Sequence, residues 1–345
     1  MVRPVLALLL LALLSGCAGS VGAGNPDWYV SDSDLIWPDP PEVPRIKYLR
    51  EVTTLPSAGQ KESQSGQWLQ WLTGEDERQM PLLAPYAVVA DGQGRVWVAD
   101  TQGQSVVFFD LARNRVRRQG VFSGIVLQSP IGLALDVARE RLYISDSKLN
   151  RILICDLSGK YIASVDHEAL ARPAGMATDH QGNLYVADVD LGEILKFSPE
   201  QKLLGRYGSQ LIPGGKFNRP ANVAIGADGS IYVVDSLNFQ VEVVSAAGES
   251  LGSIGQIGDV PGSFARPRGV ALDSDGHIYV ADAAFSNVQI FNREGQLLLF
   301  FGEPGKAPGQ FSLPAGLFFD VADRLYVVDS YNHRLQIFQY VSQKQ

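Results

Sequence analysis

The stretch Arg266–Gly295, RPRGVALDSDGHIYVADAAFSNVQIFNREG, decides the fold. GVALD and HIYVAD are apolar and β-rich, and SDG between them is a hairpin turn signal. NVQIFN reads as a third strand and the GQLLLFFG that follows as a fourth. The fourth is apolar at nearly every position, which predicts burial on both faces. One four-stranded sheet cannot cover two faces of its own, so other sheets must flank it.

The chain supplies them. RPAGMATDHQGNLYVADVDLGEILKFSPEQ begins at Arg172, RPANVAIGADGSIYVVDSLNFQVEVVSAAG at Arg219, and LPAGLFFDVADRLYVVDSYNHRLQIFQY at Leu313. Looser copies begin at Ala84 and Ser129. The opening prolines, Pro85, Pro130, Pro173, Pro220, Pro267 and Pro314, are spaced by 45, 43, 47, 47 and 47 residues. The aspartates that close each second strand, Asp100, Asp146, Asp188, Asp235, Asp282 and Asp329, keep nearly the same period. Copies of a strand pattern in phase at this period predict propeller blades.

The sixth copy reaches Gln345 without a fourth strand. Upstream, PRIKYLREVTT at Pro44–Thr54 has strand composition and no blade of its own. The expected fold is therefore all-β, a six-bladed propeller closed by an N-terminal strand in the last blade. Ile46–Val52 should lie beside Leu335–Gln339 and leave no open edge between the termini.

These blades resemble NHL repeats, the family named for Asn-His-Leu in the loop after the second strand. NHR at Asn332–Arg334 is nearest to the name motif, and LNR at Leu149–Arg151 and LNF at Leu237–Phe239 are partial matches. Blades one and three depart from it with TQGQS and VDLGE. The resemblance covers residues 81–341 and the closing strand. It implies the fold and leaves the activity open.

The N-terminal 17 residues read differently. Arg3 precedes an apolar run, Val5–Leu14, that is too short to span a bilayer as a helix. It ends in LSGC, Leu14–Cys17, which resembles the lipobox of bacterial lipoproteins. The resemblance implies cleavage before Cys17 and acylation of that cysteine. Ala18, where inner-membrane retention would call for Asp, favours the outer membrane. The expected layout is a signal peptide at 1–17, a tether at 18–43 and a propeller at 44–345. The expected location is a bacterial cell envelope, lipid-anchored at the outer membrane and facing the periplasm.

A formal charge of −8 with no long basic run argues against nucleic acid as a partner. The other cysteine, Cys155 in ILICDL, reads as a buried inert thiol with no partner for an internal disulfide. The histidines His167, His180, His277 and His333 fall in places from which three cannot meet on one metal ion. Gluconolactonase-like propellers hold a metal with carboxylates and amides at the channel mouth. Here Asn222 stands where other blades carry Gly or Ala, and no blade offers Asp or Glu at the matching position. The second-strand aspartates read as caps of tight loops, since every blade has one. No cofactor motif occurs, and no metal site or catalytic residue is assigned.

A site should break the repeat. Arg-Pro opens three successive blades, placing Arg172, Arg219 and Arg266 on one face, with Arg268 close by. Either these arginines pair with loop aspartates and stiffen the ring, or they form a cationic arc that binds a partner. The loops after the second strands carry Phe239, Phe285 and Tyr331 in blades four to six only. Either these fold down and plug the channel mouth, or they meet a partner. A segment at Gly66–Pro85 carries Trp68, Trp71 and Leu72 on one side, suited to packing on the outer blades or to docking. The leading expectation is a non-enzymatic module that binds a protein or an envelope polymer through Arg172, Arg219, Arg266, Arg268, Asn222, Phe239, Phe285 and Tyr331. The alternative is a metal-dependent hydrolase or lactonase.

Overall fold

The computed structural model describes residues 33–53, 82–208 and 217–342. Cys17 and the tryptophan segment lie outside the described residues. Every regular element among those described is a strand, and apart from the short hairpin Val121–Phe122 with Ile125–Val126 the strands form six antiparallel blades. The first strands, Pro85–Ala90, Pro130–Asp136, Pro173–Thr178, Pro220–Ile225, Pro267–Leu272 and Pro314–Phe319, line a central channel. Each touches the first strands of the blades before and after it, and the sixth returns to the first. The molecule is a six-bladed β-propeller.

Ile46–Val52 is the fourth strand of blade six, with Ile46 opposite Tyr340 and Val52 opposite Leu335. Ile46, Tyr48, Leu49 and Val52 are buried in the clusters on either side of that blade. The tether expected at 18–43 needs correction at its end. Ile36–Trp37 adds a fifth strand to blade six, opposite Lys47 and Ile46. The driving force is Trp37, whose ring lies 5.4 Å from that of Phe301 and 5.9 Å from that of Phe338.

Burial in the fourth strand of blade five, Leu297–Phe301, also differs from expectation. Phe301 is buried, but Leu298 and Phe300 face solvent. This strand is the outer edge of its blade, where neighbouring blades diverge and cover one face only.

The repeated prolines and glycines have a common physical basis. Proline opens each first strand, where a missing N–H breaks no ladder bond. A register irregularity follows each proline, between Pro85 and Ala87 in blade one and between Pro267 and Gly269 in blade five, for instance. The residue in the bulge is freed from the ladder, and a bulge of this kind re-aims its side chain. Beyond it the inner strands nearly touch. A Cβ on Gly269 would sit 2.3 Å from the Ala315 carbonyl oxygen, and one on Gly132 would sit 2.0 Å from that of Ala174. Pro-x-Gly is thus the price of a narrow ring.

Candidate functional site

The loops that enter first strands and those that follow second strands share one face because their backbones bond to each other in every blade. The amides of Thr101, Ser147, Val189 and Ala283 donate to the carbonyls of Ala84, Ser129, Arg172 and Arg266. In blades four and six, Leu237 and Tyr331 donate to Asn218 and Ser312. The buried second-strand aspartates hold the same loops from below. Asp282 accepts the amides of Ala265, Arg266, Ala284 and Phe285. Asp100, Asp146 and Asp188 do the same for their blades, and Asp235 and Asp329 hold Asn218 and Ser312. The aspartates are loop caps.

This frame fixes the arginines, which do not behave alike. Arg172 is not free: its Nη1 lies 3.6 Å from Asp190 Oδ1. Asp190 is the second residue after the capping Asp188. The same position holds Leu237 in blade four and Ala284 in blade five. Arg219 and Arg266 consequently have no carboxylate partner among the described residues, and both are exposed. Arg172 therefore leaves the expected cationic arc because its own loop neutralises it.

Arg268 occupies the bulge of blade five and Tyr86 that of blade one. Ala315, at the matching position in blade six between them, is too small to intervene. The Arg268 guanidinium spans the gap and lies 5.5 Å from the Tyr86 ring centroid. Burial pulls the pKa of Arg268 below the usual guanidinium value, Tyr86 opposes that shift, and the charge of Arg266 adds to it. Arg268 has no carboxylate partner among the described residues, so a half-buried cation stands at the channel mouth next to a second positive charge.

The aromatic residues also divide. Tyr331 is 66 % exposed and stacks on His333 with centroids 6.4 Å apart. Phe285 is half-buried, and its backbone amide is held by Asp282. Phe239 is half-buried and packs, as Ala221 does, against the core cluster between blades four and five. Phe239 therefore leans toward the plug role, whereas Tyr331 faces water.

Behind the mouth lies a chamber of about 290 Å³. Thr178 and Asn222 supply its polar side chains, and the rest of the lining is apolar side chains and backbone. Thr178 Oγ1 donates to the Leu135 carbonyl at 2.9 Å. Asn222 Oδ1 accepts the amide of Val223 at 2.7 Å. Asn222 as an oxygen ligand is thus already committed to its own backbone. The histidines are apart: His277 Nδ1 lies 2.8 Å from Asp273 Oδ2 in a hairpin turn of the opposite face, while His333 is beside Tyr331. Cys155 is buried, and burial pushes its thiol up to about 12, with Asp156 adding to the shift.

Blades five and six match the NHL repeat. The matched residues are 264–291 and 311–338. Residues 125–230, from the entry to blade two into blade four, match the SMP-30/Gluconolactonase/LRE-like region. No curated protein matches the chain. Among solved structures, virginiamycin B lyase from Staphylococcus aureus is similar with a TM-score of 0.56 at 12% identity, over 76% of this chain and 98% of that one. An auxiliary nutrient binding protein from Bacteroides thetaiotaomicron gives 0.59 at 14% identity, over 76% and 70%. Kuenenia stuttgartiensis hydrazine synthase gives 0.55 at 13% identity, over 77% and 97%. At such identities the likeness is one of fold, and this propeller takes no activity from it.

Sequence reasoning had named Arg172, Arg219, Arg266, Arg268, Asn222, Phe239, Phe285 and Tyr331. It missed Tyr86 as the partner of Arg268 and Asp190 as the partner of Arg172. Asp190 was findable, since aligning the copies on their capping aspartates places it beside Arg172.

Proposed function

We propose that this NHL-repeat propeller is a lipid-anchored, non-enzymatic binding module of a bacterial cell envelope. Cys17 tethers it to the outer membrane on the periplasmic side. It engages a protein or an envelope polymer through the face that carries Arg219, Arg266, Arg268, Phe285 and Tyr331. The observation that carries the reading is the pair Arg219 and Arg266, cations without carboxylate partners among the described residues, on the same face as the half-buried Arg268. In a protein of charge −8, cations left unneutralised on one face suit an external acidic partner.

The second reading, a metal-dependent hydrolase or lactonase, is favoured by the match over residues 125–230. The chamber does not fit it. Among the described residues no carboxylate lines that space, and its amide and hydroxyl side chains are bonded to backbone.

The test is crosslinking of the anchored protein in envelope preparations, followed by mass spectrometry, for wild type, Phe285→Ala and Cys17→Ser. The reading expects a partner captured by wild type and lost with Phe285→Ala, and loss of membrane partition or processing with Cys17→Ser. Equal capture by wild type and Phe285→Ala would remove the binding face. Equal processing and solubility of wild type and Cys17→Ser would remove the anchor.

A further inference from the structure

Three features of the mouth bear on what kind of partner it takes. The first is charge. Arg219 and Arg266 are exposed, Arg268 is half-buried, and none has a carboxylate partner among the described residues. A guanidinium offers a planar fork of donors that matches a carboxylate in two-point contact.

The second is the state of the aromatic faces. A sugar ring binds to a protein by stacking on flat aromatic surface, and here that surface is reduced, because Tyr86 and Tyr331 each have one ring face occupied, although Tyr331 stays 66 % exposed. One face of Tyr86 is covered by Arg268, and Tyr331 is stacked on His333. The third is an aliphatic side chain. Leu237 is 49 % exposed at the position where blade three carries Asp190. A branched aliphatic side chain gives a sugar no platform, but it packs against the apolar side chains of a peptide. Together with half-buried Phe285 it supplies apolar contact among the arginines.

We infer that the mouth recognises an acidic peptide segment of a protein partner, with Asp or Glu side chains on Arg219, Arg266 and Arg268 and apolar anchors on Leu237 and Phe285. This rests on the binding-face reading above and narrows its partner to one class. Arg268 sets the innermost contact, because its guanidinium is already fixed over Tyr86 and loses little freedom when a carboxylate arrives.

The probe is a random copolymer of glutamate and tyrosine, presented to the full-length chain in detergent micelles at low salt. Polyglutamate and polygalacturonate serve as charge-only and uronate comparisons. The copolymer should bind more tightly than polyglutamate, and added salt should weaken it. Arg219→Gln and Arg266→Gln should each weaken it about tenfold, the loss expected of one charge-assisted hydrogen bond. Arg172→Gln should leave it unchanged, since that guanidinium is paired with Asp190. The inference is overturned if wild type does not bind the copolymer, or if Arg219→Gln and Arg266→Gln bind it as wild type does. Polygalacturonate binding as tightly, with the same sensitivity to the arginines, would overturn it in favour of an acidic glycan. Should copolymer binding fail while envelope capture still depends on Phe285, the peptide class falls and the binding face stands. Should capture also lose that dependence, the face falls with it.

Discussion

Arg334 and Glu51 are 283 positions apart in the chain, yet Arg334 Nη1 donates to Glu51 Oε2 at 2.6 Å. The contact fastens the closing strand to the third strand of blade six. Arg334 does more than this. Its Nε reaches Asp329, and its other nitrogens reach the carbonyls of Lys306, Ala307 and Gln310. The arginine side chain is 6 % exposed and that of Glu51 is 42 % exposed. The two ends of the bond should therefore respond differently to mutation. Arg334→Met strands a buried carboxylate and should cost about 3–5 kcal/mol. Glu51→Gln removes a partly solvated partner and should cost below about 1 kcal/mol. Chemical denaturation of both variants measures the difference; equal losses would mean that the closing contact, and not the loop network, carries the stability.

The narrow ring at Pro-x-Gly makes a second prediction. Gly269→Ala places a methyl group against the Ala315 carbonyl of the next blade, a backbone atom with nowhere to go. Overpacking of this kind should cost about 1–3 kcal/mol. Asn222→Gly, at the equivalent position in blade four, should be tolerated. A thermal midpoint for Gly269→Ala equal to that of wild type would show that the blades can spread.

Glu242 offers a test by pH. It is buried in the third strand of blade four, bonded by Ser250 and Gln240. Burial raises its pKa above the ordinary 4.5, the Ser250 hydroxyl opposes the shift, and the charge of Asp235 adds to it. A raised carboxylate contributes stability that is fully present below the unfolded pKa and lost as pH rises through the folded one. Glu242→Gln stays neutral throughout. Its stability relative to wild type should rise as pH climbs above 4.5 and level off beyond the folded pKa. Thermal melts from pH 3.5 to about 8 would show it, and a constant offset across that range would refute it.

Phe285 and Phe239 should separate binding from packing. Phe285→Ala should weaken the partner by about 1 kcal/mol or more and barely lower the melting temperature. Phe239→Ala, which removes a ring packed against the core cluster between blades four and five, should show the larger loss of stability. Paired affinity and melting measurements on the two variants decide the point.

Much of the fold was legible because a propeller writes itself several times. Pro267 and Asp282 recur at a fixed period in every blade and Gly269 in four of the six, each for a steric or hydrogen-bonding reason. The closing strand was legible as the fourth strand that blade six lacked. What was not legible lies between copies. The contact of Arg268 with Tyr86 depends on a bulge in each of two blades and on a small residue, Ala315, in the blade between. Ile36–Trp37 is two residues long and followed at once by Pro38, so no periodic signal marks it. The exposure of Leu298 and Phe300 follows from the divergence of blades toward the rim, which composition does not record.

The pairing of Ile46 with Tyr340 also sets a clock. Five blades are built from neighbours in sequence and can form hairpin by hairpin as the chain emerges. The sixth cannot, because the strand made early must wait for a partner made 294 positions later. Closing so long a loop carries an entropic cost and is intrinsically slow. Until that moment the nascent ring has two sticky rims, Ile46–Val52 at one end and Arg334–Tyr340 at the other. Two half-finished chains held close together could each complete the other's sixth blade, so crowding during synthesis should favour exchanged dimers over closed monomers.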